Sequence, residues 1–191
     1  MGRNWLAWVM AALALVTLAG CVARPAGPED EAAIKAVVKR SHDVRSIAAR
    51  TFDTSQFDTV YINDPRIPLT WNQARFIADN RALVRDRMPE TSDPPGILDF
   101  WRLEFALWQL GAERWELRRQ GVPIDPADGP IGPLPRMDPP YDTPVRYDSI
   151  LVSGDHAEVV LDDGPALYRL FLRRTPEGWR ISGQRILDVH W

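Results

Sequence analysis

The sequence predicts an α+β domain in which N-terminal helices pack on a C-terminal antiparallel sheet. Three segments between residues 29 and 120 repeat apolar residues at helical spacing, whereas residues 145–191 alternate apolar and polar residues between glycine-containing turns. A run of helices followed by a run of strands is typical of α+β architectures. The length of 191 residues suits one such domain with a short extension before it.

The composition limits the partners that this domain can have. Apolar residues make up 45% of the chain, which is enough to bury a core. The formal net charge is −3, and the 23 basic residues form no stripe of the kind that binds nucleic acid. We therefore expect no nucleic-acid partner.

The first twenty residues have the features of a secretory signal peptide. Arg3 provides the positive start, Trp5–Leu18 form an apolar core, and Ala19 and Gly20 are small residues of the kind that precede a cleavage site. A transmembrane helix needs about 20 apolar residues. The apolar run here is shorter, and the proline-rich VARPAGPED follows it. We expect a cleaved signal peptide; a permanent membrane span is the alternative.

Cys21 is the only cysteine of the chain, and Leu18-Ala19-Gly20-Cys21 resembles the bacterial lipobox. In bacterial lipoproteins the cysteine thiol carries a diacylglyceryl group, and the new amino terminus is acylated, for example with palmitate. Two or three acyl chains hold a protein on a membrane far longer than one chain does. The resemblance implies a lipid-attachment site at Cys21. The alternative is a secreted protein with one unpaired thiol.

This interpretation divides the chain into a signal peptide (1–20), a lipid-anchored tether (21–30) and one domain (31–191). It places the domain in the bacterial cell envelope, facing away from the cytoplasm. An aspartate directly after the lipidated cysteine would resemble an inner-membrane retention signal, but this chain has Val22 there. We therefore expect the outer membrane if the host has two membranes.

Within the domain, helical spacing occurs in three places. EDEAAIKAVVKRSHDVRSIAAR (29–50) opens with acidic residues that suit a helix N-terminus. WNQARFIADNRALVRDRM (71–88) ends before Pro89, and ILDFWRLEFALWQLGAERWELRRQ (97–120) is the most periodic segment. Between the first two, FDTVYIND (57–64) alternates apolar residues and predicts a short strand.

A tryptophan stripe marks the third helix. Trp101, Trp108 and Trp115 recur every seven residues, and the polar residues Arg102, Glu104, Gln109, Glu113 and Glu116 fall elsewhere on the helix. Large aromatics at helical spacing favour a place in the core, because each buries a large apolar area. The alternative is that they form the wall of a ligand pocket or contact a partner helix.

The remainder of the chain is predicted as a loop and a sheet. Residues 121–144 hold many prolines and glycines, so we expect an ordered loop that wraps the surface. Strands are predicted within VRYDSILVSG, HAEVVL, PALYRLFLRRT and WRISGQRILDVHW. Gly183, in the middle of the last strand, predicts a bulge or bend.

Two stretches of the predicted sheet, LVSGDHAEVVLDDG and EGWRISGQRIL, resemble the nuclear-transport-factor-2-like (cone) fold. The likeness is to the polyketide-cyclase-like branch, in which a glycine turn and an alternating strand precede Gly-Trp-x-Ile, here Gly178-Trp179-Arg180-Ile181. It covers residues 31–62 and 145–191, and the helices and proline-rich segment between them depart from the pattern. The resemblance implies a curved, cone-like sheet and a homodimer formed through it. Its members include isomerases, cyclases, dehydratases and binding modules.

The end of the chain offers the clearest candidate chemistry. Asp188 and His190 lie two residues apart on a predicted strand and share a face, where the carboxylate could orient the imidazole for acid–base catalysis. The alternative is that both lie in solvent at the sheet's edge. His42 and His156 are interpreted as a helix-flank residue and an exposed turn residue. No metal-ligand spacing or phosphate-binding loop occurs, so we expect no metal and no cofactor beyond the lipid.

These observations lead to a hypothesis with two alternatives. The leading hypothesis is a lipid-anchored envelope protein that binds a small apolar ligand or docks an envelope protein without catalysis. The first alternative is an isomerase or hydratase that uses Asp188 and His190. The second is an assembly protein with a filled core and a contact surface at residues 123–144.

Overall fold

The computed structural model describes residues 22–88, 90–132 and 145–190. These ranges contain helices α1 (Pro28–Thr51), α2 (Trp71–Asn80) and α3 (Ile97–Arg119). The strands are β1 (Arg24–Pro25), β2 (Arg146–Ser153), β3 (His156–Asp162), β4 (Ala166–Thr175) and β5 (Gly178–Val189). Their order in the sheet follows the chain, and each pair is antiparallel. The predicted α+β arrangement, with N-terminal helices and a curved antiparallel C-terminal sheet, is confirmed.

Helix α1 is bounded by clear start and stop signals. Pro28 suits the first turn because its φ is already helical and its missing N–H has no intrahelical partner to lose, and three acidic residues follow it. The helix ends at Thr51, and the next residue, Phe52, caps it with a left-handed φ of 59° and donates its N–H to the Ala48 carbonyl at 2.7 Å. One face is buried in the main core, through Ile34, Val38, Ser41, Val44 and Ala48.

Most of the segment expected to be a tether lies on the domain. Arg24 pairs with Val152 at the edge of the sheet. Asp30, in the first turn of α1, accepts a hydrogen bond from the Trp179 indole at 3.2 Å. Among the residues that the structure describes, the first secondary-structure element therefore begins at Arg24.

The strand predicted over FDTVYIND is wrong. Residues Phe57–Thr59 form a 3-10 turn, and Tyr61 alone forms an isolated parallel bridge, with Ile181 of β5. The buried residues are Phe57, Val60 and Tyr61, which have the i, i+3, i+4 spacing of a helical turn. A run this short satisfies both periodicities, and packing against the core decides between them.

The second helix is shorter than predicted. Thr70 caps α2 through a reciprocal pair of hydrogen bonds with Gln73. The α-helix ends at Asn80, and Arg81–Val84 continue as a 3-10 turn. Buried residues of α2, this turn and α3 form a second apolar cluster beside the main core: Ile77, Val84, Leu103, Ala106 and Leu107.

The bulge predicted at Gly183 is confirmed. Phe171 pairs with Gly183 and Leu172 with Ile181, so Ser182 is an extra residue on β5. A Cβ at position 183 would lie 2.5 Å from Cγ2 of Ile67. Glycine therefore lets the loop before α2 pack closely on the bend in β5.

The length and hydropathy of the helices can be compared with those of a membrane span. In the ranges that the structure describes, no helix is both long enough and apolar enough to cross a bilayer.

Candidate functional site

A pocket of about 400 Å³ opens between the three helices and the sheet. Its sides come from α1 (Arg45), α3 (Trp101 and Glu104), β4 (Tyr168) and β5 (Gln184). Polar side chains from the start of α2 and exposed residues of β5 form the rim: Thr70, Asn72, Gln73, Arg185 and Ile186. Charged, amide and aromatic groups from distant parts of the chain thus converge on one opening, as is typical of ligand sites.

Trp101 forms the aromatic wall of this pocket. Its ring lies 5.4 Å from that of Phe100 and 6.1 Å from that of Tyr61, which is buried in the main core. Its Nε1 is buried and has no hydrogen-bond partner among the described residues. A buried indole N–H without an acceptor is costly, and a ligand oxygen could satisfy it.

Arg45 is the cation at the centre of the site. Its guanidinium lies 4.8 Å above the Trp101 ring, and its Nε donates to the Ser41 carbonyl at 3.2 Å. In the described part of the chain, no carboxylate lies within 4.0 Å of it. The charge is held by an aromatic face and one backbone carbonyl, which leaves donors of the guanidinium available.

Glu104 has a carboxyl that titrates near neutrality. Burial raises its pKa from 4.5 to about 7, and the positive charge of Arg45 opposes the shift. Its side chain makes no hydrogen bond with another described residue. Glu104 also borders a second hollow of about 470 Å³, between α2 and α3, where Phe76, Leu83 and Trp108 provide apolar walls.

Other titratable groups around the pocket respond to the same environment. Burial, together with the nearby positive charge of Arg45, lowers the pKa of His42 from 6.5 to about 4. Burial raises the pKa values of Asp163 and Tyr168, and in both cases Arg45 opposes the shift. The site therefore combines the positive charge of Arg45 with groups whose pKa values are shifted toward their neutral forms.

This arrangement can bind a small molecule and exchange a proton with it. The aromatic wall suits a flat or apolar body, and the polar rim and Arg45 suit a polar group on the same molecule. Glu104 can donate or accept a proton at neutral pH because both of its forms are populated there. Among the residues that the structure describes, no group of three or more His, Cys, Asp or Glu side chains could hold a metal ion.

The structure places Asp188 and His190 outside this pocket. The Asp188 carboxylate accepts a hydrogen bond from the backbone N–H of Val189 at 2.9 Å. His190 is 46% exposed, and its Nε2 lies 3.7 Å from Oδ1 of Asp162 rather than beside Asp188. The two residues are not brought together, and a catalytic role for them stays a prediction.

The three tryptophans of the stripe have different places. Trp101 packs on the main core and lines the pocket, while Trp108 packs on Phe105 at 4.6 Å between ring centres and borders the second hollow. Trp115 is half-buried and borders neither cavity. The stripe is thus partly core and partly cavity wall.

Arg45 and Glu104 were not singled out from the sequence. A signal for Glu104 exists: it lies three residues after Trp101 and four before Trp108, so it shares their face of α3, and the expectation that it falls elsewhere on the helix is wrong. Arg45 follows the buried Val44, and nothing in the local pattern distinguishes it from the other basic residues of α1.

Two predicted features fall outside the described residues. The lipobox with Cys21 is one, and residues 133–144 of the proline-rich segment are the other. The described part of that segment contains a 3-10 turn, Pro126–Asp128, and Arg114 of α3 donates to the Asp125 carbonyl beside it.

Comparisons with known proteins give no relative from which a function could be transferred. No protein-family model, no curated protein and no solved structure matches the chain. A function for this protein therefore has to be argued from the pocket at Arg45, Trp101 and Glu104.

Proposed function

We propose that this protein is a lipid-anchored binding protein of the bacterial cell envelope, which holds a small, largely apolar ligand without catalysis. The observation that carries the proposal is the pocket itself. It has an aromatic wall, an unpartnered indole N–H at Trp101 and a guanidinium at Arg45 with no carboxylate beside it. Polar groups without protein partners are costly unless a ligand or water meets them.

The pocket is tested with 2-naphthamide, a neutral aromatic probe, by isothermal titration calorimetry. The full chain is recovered from bacterial membranes into lipid nanodiscs, and empty nanodiscs are the blank. We expect binding to the wild type and an affinity about tenfold lower in Ile186→Trp, because the larger side chain narrows the rim. Ile186 is 60% exposed, so the substitution leaves the core intact.

Leu187→Trp is the matched control for this experiment. Leu187 is the next residue on β5, is 43% exposed and does not line the pocket. Because Leu187 does not line the pocket, we expect Leu187→Trp to bind the probe like the wild type. If Ile186→Trp and Leu187→Trp both bind the probe as tightly as the wild type does, the probe binds outside this pocket. No binding to the wild type would favour the assembly protein with a filled core.

The lipid anchor is tested at Cys21. We expect the wild type to incorporate tritiated palmitate and to fractionate with membranes. Cys21→Ala should incorporate none and move to the soluble fraction, because the acylated thiol and terminus are lost. Val22→Ala, at the neighbouring residue, should behave like the wild type. Palmitate incorporation by Cys21→Ala, or its unchanged retention on membranes without an uncleaved signal, would contradict the proposed anchor.

A further inference from the structure

We propose that the pocket selects a small organic anion, whose carboxylate is held by Arg45 while its apolar body lies against Trp101. This inference rests on the proposed binding function and adds the chemical class of the ligand. It also adds a consequence: binding is coupled to protonation of Glu104. Three features of the described residues lead to it, namely two arginines without carboxylate partners and one carboxyl in the same pocket.

The first feature is the state of Arg45. Its Nε donates to the Ser41 carbonyl, and its guanidinium carbon lies 4.8 Å from the centre of the Trp101 ring. The guanidinium still has donors that no described carboxylate approaches within 4.0 Å. A guanidinium presents these donors as a planar fork that matches the two oxygens of a carboxylate. The contacts with Ser41 and Trp101 hold that fork beside the aromatic wall.

The second feature is Arg185 at the rim. Five other arginines of β2, β4 and β5 each lie within 4.0 Å of a carboxylate: Arg146, Arg169, Arg173, Arg174 and Arg180. Arg185 has no such partner in the described ranges, and its guanidinium lies 5.1 Å above the Phe171 ring. Phe171 does not line the pocket, so this second positive charge lies beside the pocket, from where it attracts anions at longer range.

The third feature is Glu104. The groups that face its part of the pocket from other elements are Arg45 of α1, Tyr168 of β4, Gln184 and Arg185 of β5, and the neutral Phe76 and Asn80 of α2. The positive charge of Arg45 also acts to lower the pKa values of Asp163, in the turn before β4, and of His42 in α1. Burial already raises the pKa of Glu104 to about 7.

A bound anion raises that pKa further, because it adds a like charge to a poorly solvated site. The anion is therefore favoured when Glu104 is protonated, and binding takes up a proton near neutral pH. Its affinity is highest below pH 7 and falls as the pH rises through the pKa of Glu104. A neutral ligand of the same shape has no such dependence.

The experiment compares 2-naphthoate with 2-naphthamide, which share a ring system and differ in charge. Both are titrated by calorimetry into the full chain in nanodiscs between pH 6 and pH 8.5, where 2-naphthoate stays ionised. We expect 2-naphthoate to bind about tenfold more tightly than 2-naphthamide at pH 6. Its affinity should fall about tenfold by pH 8.5, while that of 2-naphthamide stays constant.

Two variants assign the effects to residues. Arg45→Gln should remove the preference, so that 2-naphthoate and 2-naphthamide bind with similar affinities, and a circular dichroism spectrum like that of the wild type shows that the variant is folded. Glu104→Gln should retain the preference and abolish its pH dependence, because no proton is then taken up. Arg45→Lys, which keeps the charge without the fork, should retain part of the preference.

The outcomes separate this inference from the proposed function. Equal or tighter binding of 2-naphthamide at every pH would overturn the anion selectivity and leave the binding function in place. A preference for 2-naphthoate that survives in Arg45→Gln would also overturn it. Binding of neither probe to the wild type would overturn both proposals.

Discussion

Replacing Asp99 with alanine is expected to lower the free energy of unfolding by about 4 kcal/mol. Asp99 is 3% exposed and lies in the first turn of α3. Its Oδ2 accepts hydrogen bonds from the side chains of Asn63 at 2.8 Å and Ser92 at 2.6 Å, and from the backbone N–H groups of Gly96 at 3.1 Å and Ser92 at 3.3 Å. Hydrogen bonds to a charged acceptor are among the stronger ones, and alanine removes the acceptor that these four donors share.

The loss is measured by urea denaturation of the wild type and Asp99→Ala, followed by circular dichroism. Asp79→Ala is the control, since Asp79 is exposed and pairs only with Arg75 one turn away on α2. We expect that control to change stability by less than about 0.5 kcal/mol. A loss below about 1 kcal/mol in Asp99→Ala would show that water replaces the carboxylate. The prediction that the Asp99 carboxylate stabilises the contact between α3 and the loop before it would then be wrong.

Replacing Glu104 with glutamine is expected to remove about 3 kcal/mol of pH dependence from the stability of the protein. The pKa of Glu104 is about 7 in the folded protein against 4.5 as the ordinary value. Below pH 4.5 the carboxyl is protonated in both the folded and unfolded chains. As the pH rises from 4.5 to 7, the unfolded chain loses the Glu104 proton while the folded protein keeps it. The contribution of Glu104 to the free energy of unfolding therefore falls over this range. Above pH 7 the contribution is constant.

His42 acts in the opposite direction and has to be separated from Glu104. Its pKa is about 4 in the folded protein against an ordinary 6.5, so its contribution is lost as the pH falls from 6.5 to 4. The loss is common to the wild type and Glu104→Gln. The difference between their free energies of unfolding therefore isolates Glu104.

We expect this difference to shift in favour of the variant by about 3 kcal/mol from pH 4.5 to pH 7, and then to stay level. It is measured by urea denaturation at half-unit pH steps. Glu116→Gln is the control, because Glu116 is an exposed residue on the same helix. If the difference between the free energies of unfolding does not change with pH, the Glu104 carboxyl is exposed to water in the folded protein. The prediction would then be wrong.

The fold could be predicted from the sequence wherever a repeat of apolar residues extends over many residues and fits only one period, either helical or strand-like. Helix α3 runs over 23 residues and was predicted to within one residue, because its apolar repeat covers six turns. The hairpins of β3, β4 and β5 were predicted because glycine turns separate alternating segments. FDTVYIND was misassigned because its few apolar residues fit either period. The second helix was overextended because its pattern continues into the 3-10 turn after Asn80.

Local sequence patterns were sufficient for the class of the fold and for the order and type of its main elements, and a stretch that resembles a lipobox predicts the anchor at Cys21. All of these depend on neighbouring residues, whose spacing is visible along the chain. The tertiary structure alone decided which charged residues become functional candidates. Arg45, Glu104 and Tyr168 lie on three different elements, and they converge only when those elements pack. Packing removes water from the Glu104 carboxyl and raises its pKa, and this loss of solvation depends on long-range contacts rather than on any local pattern.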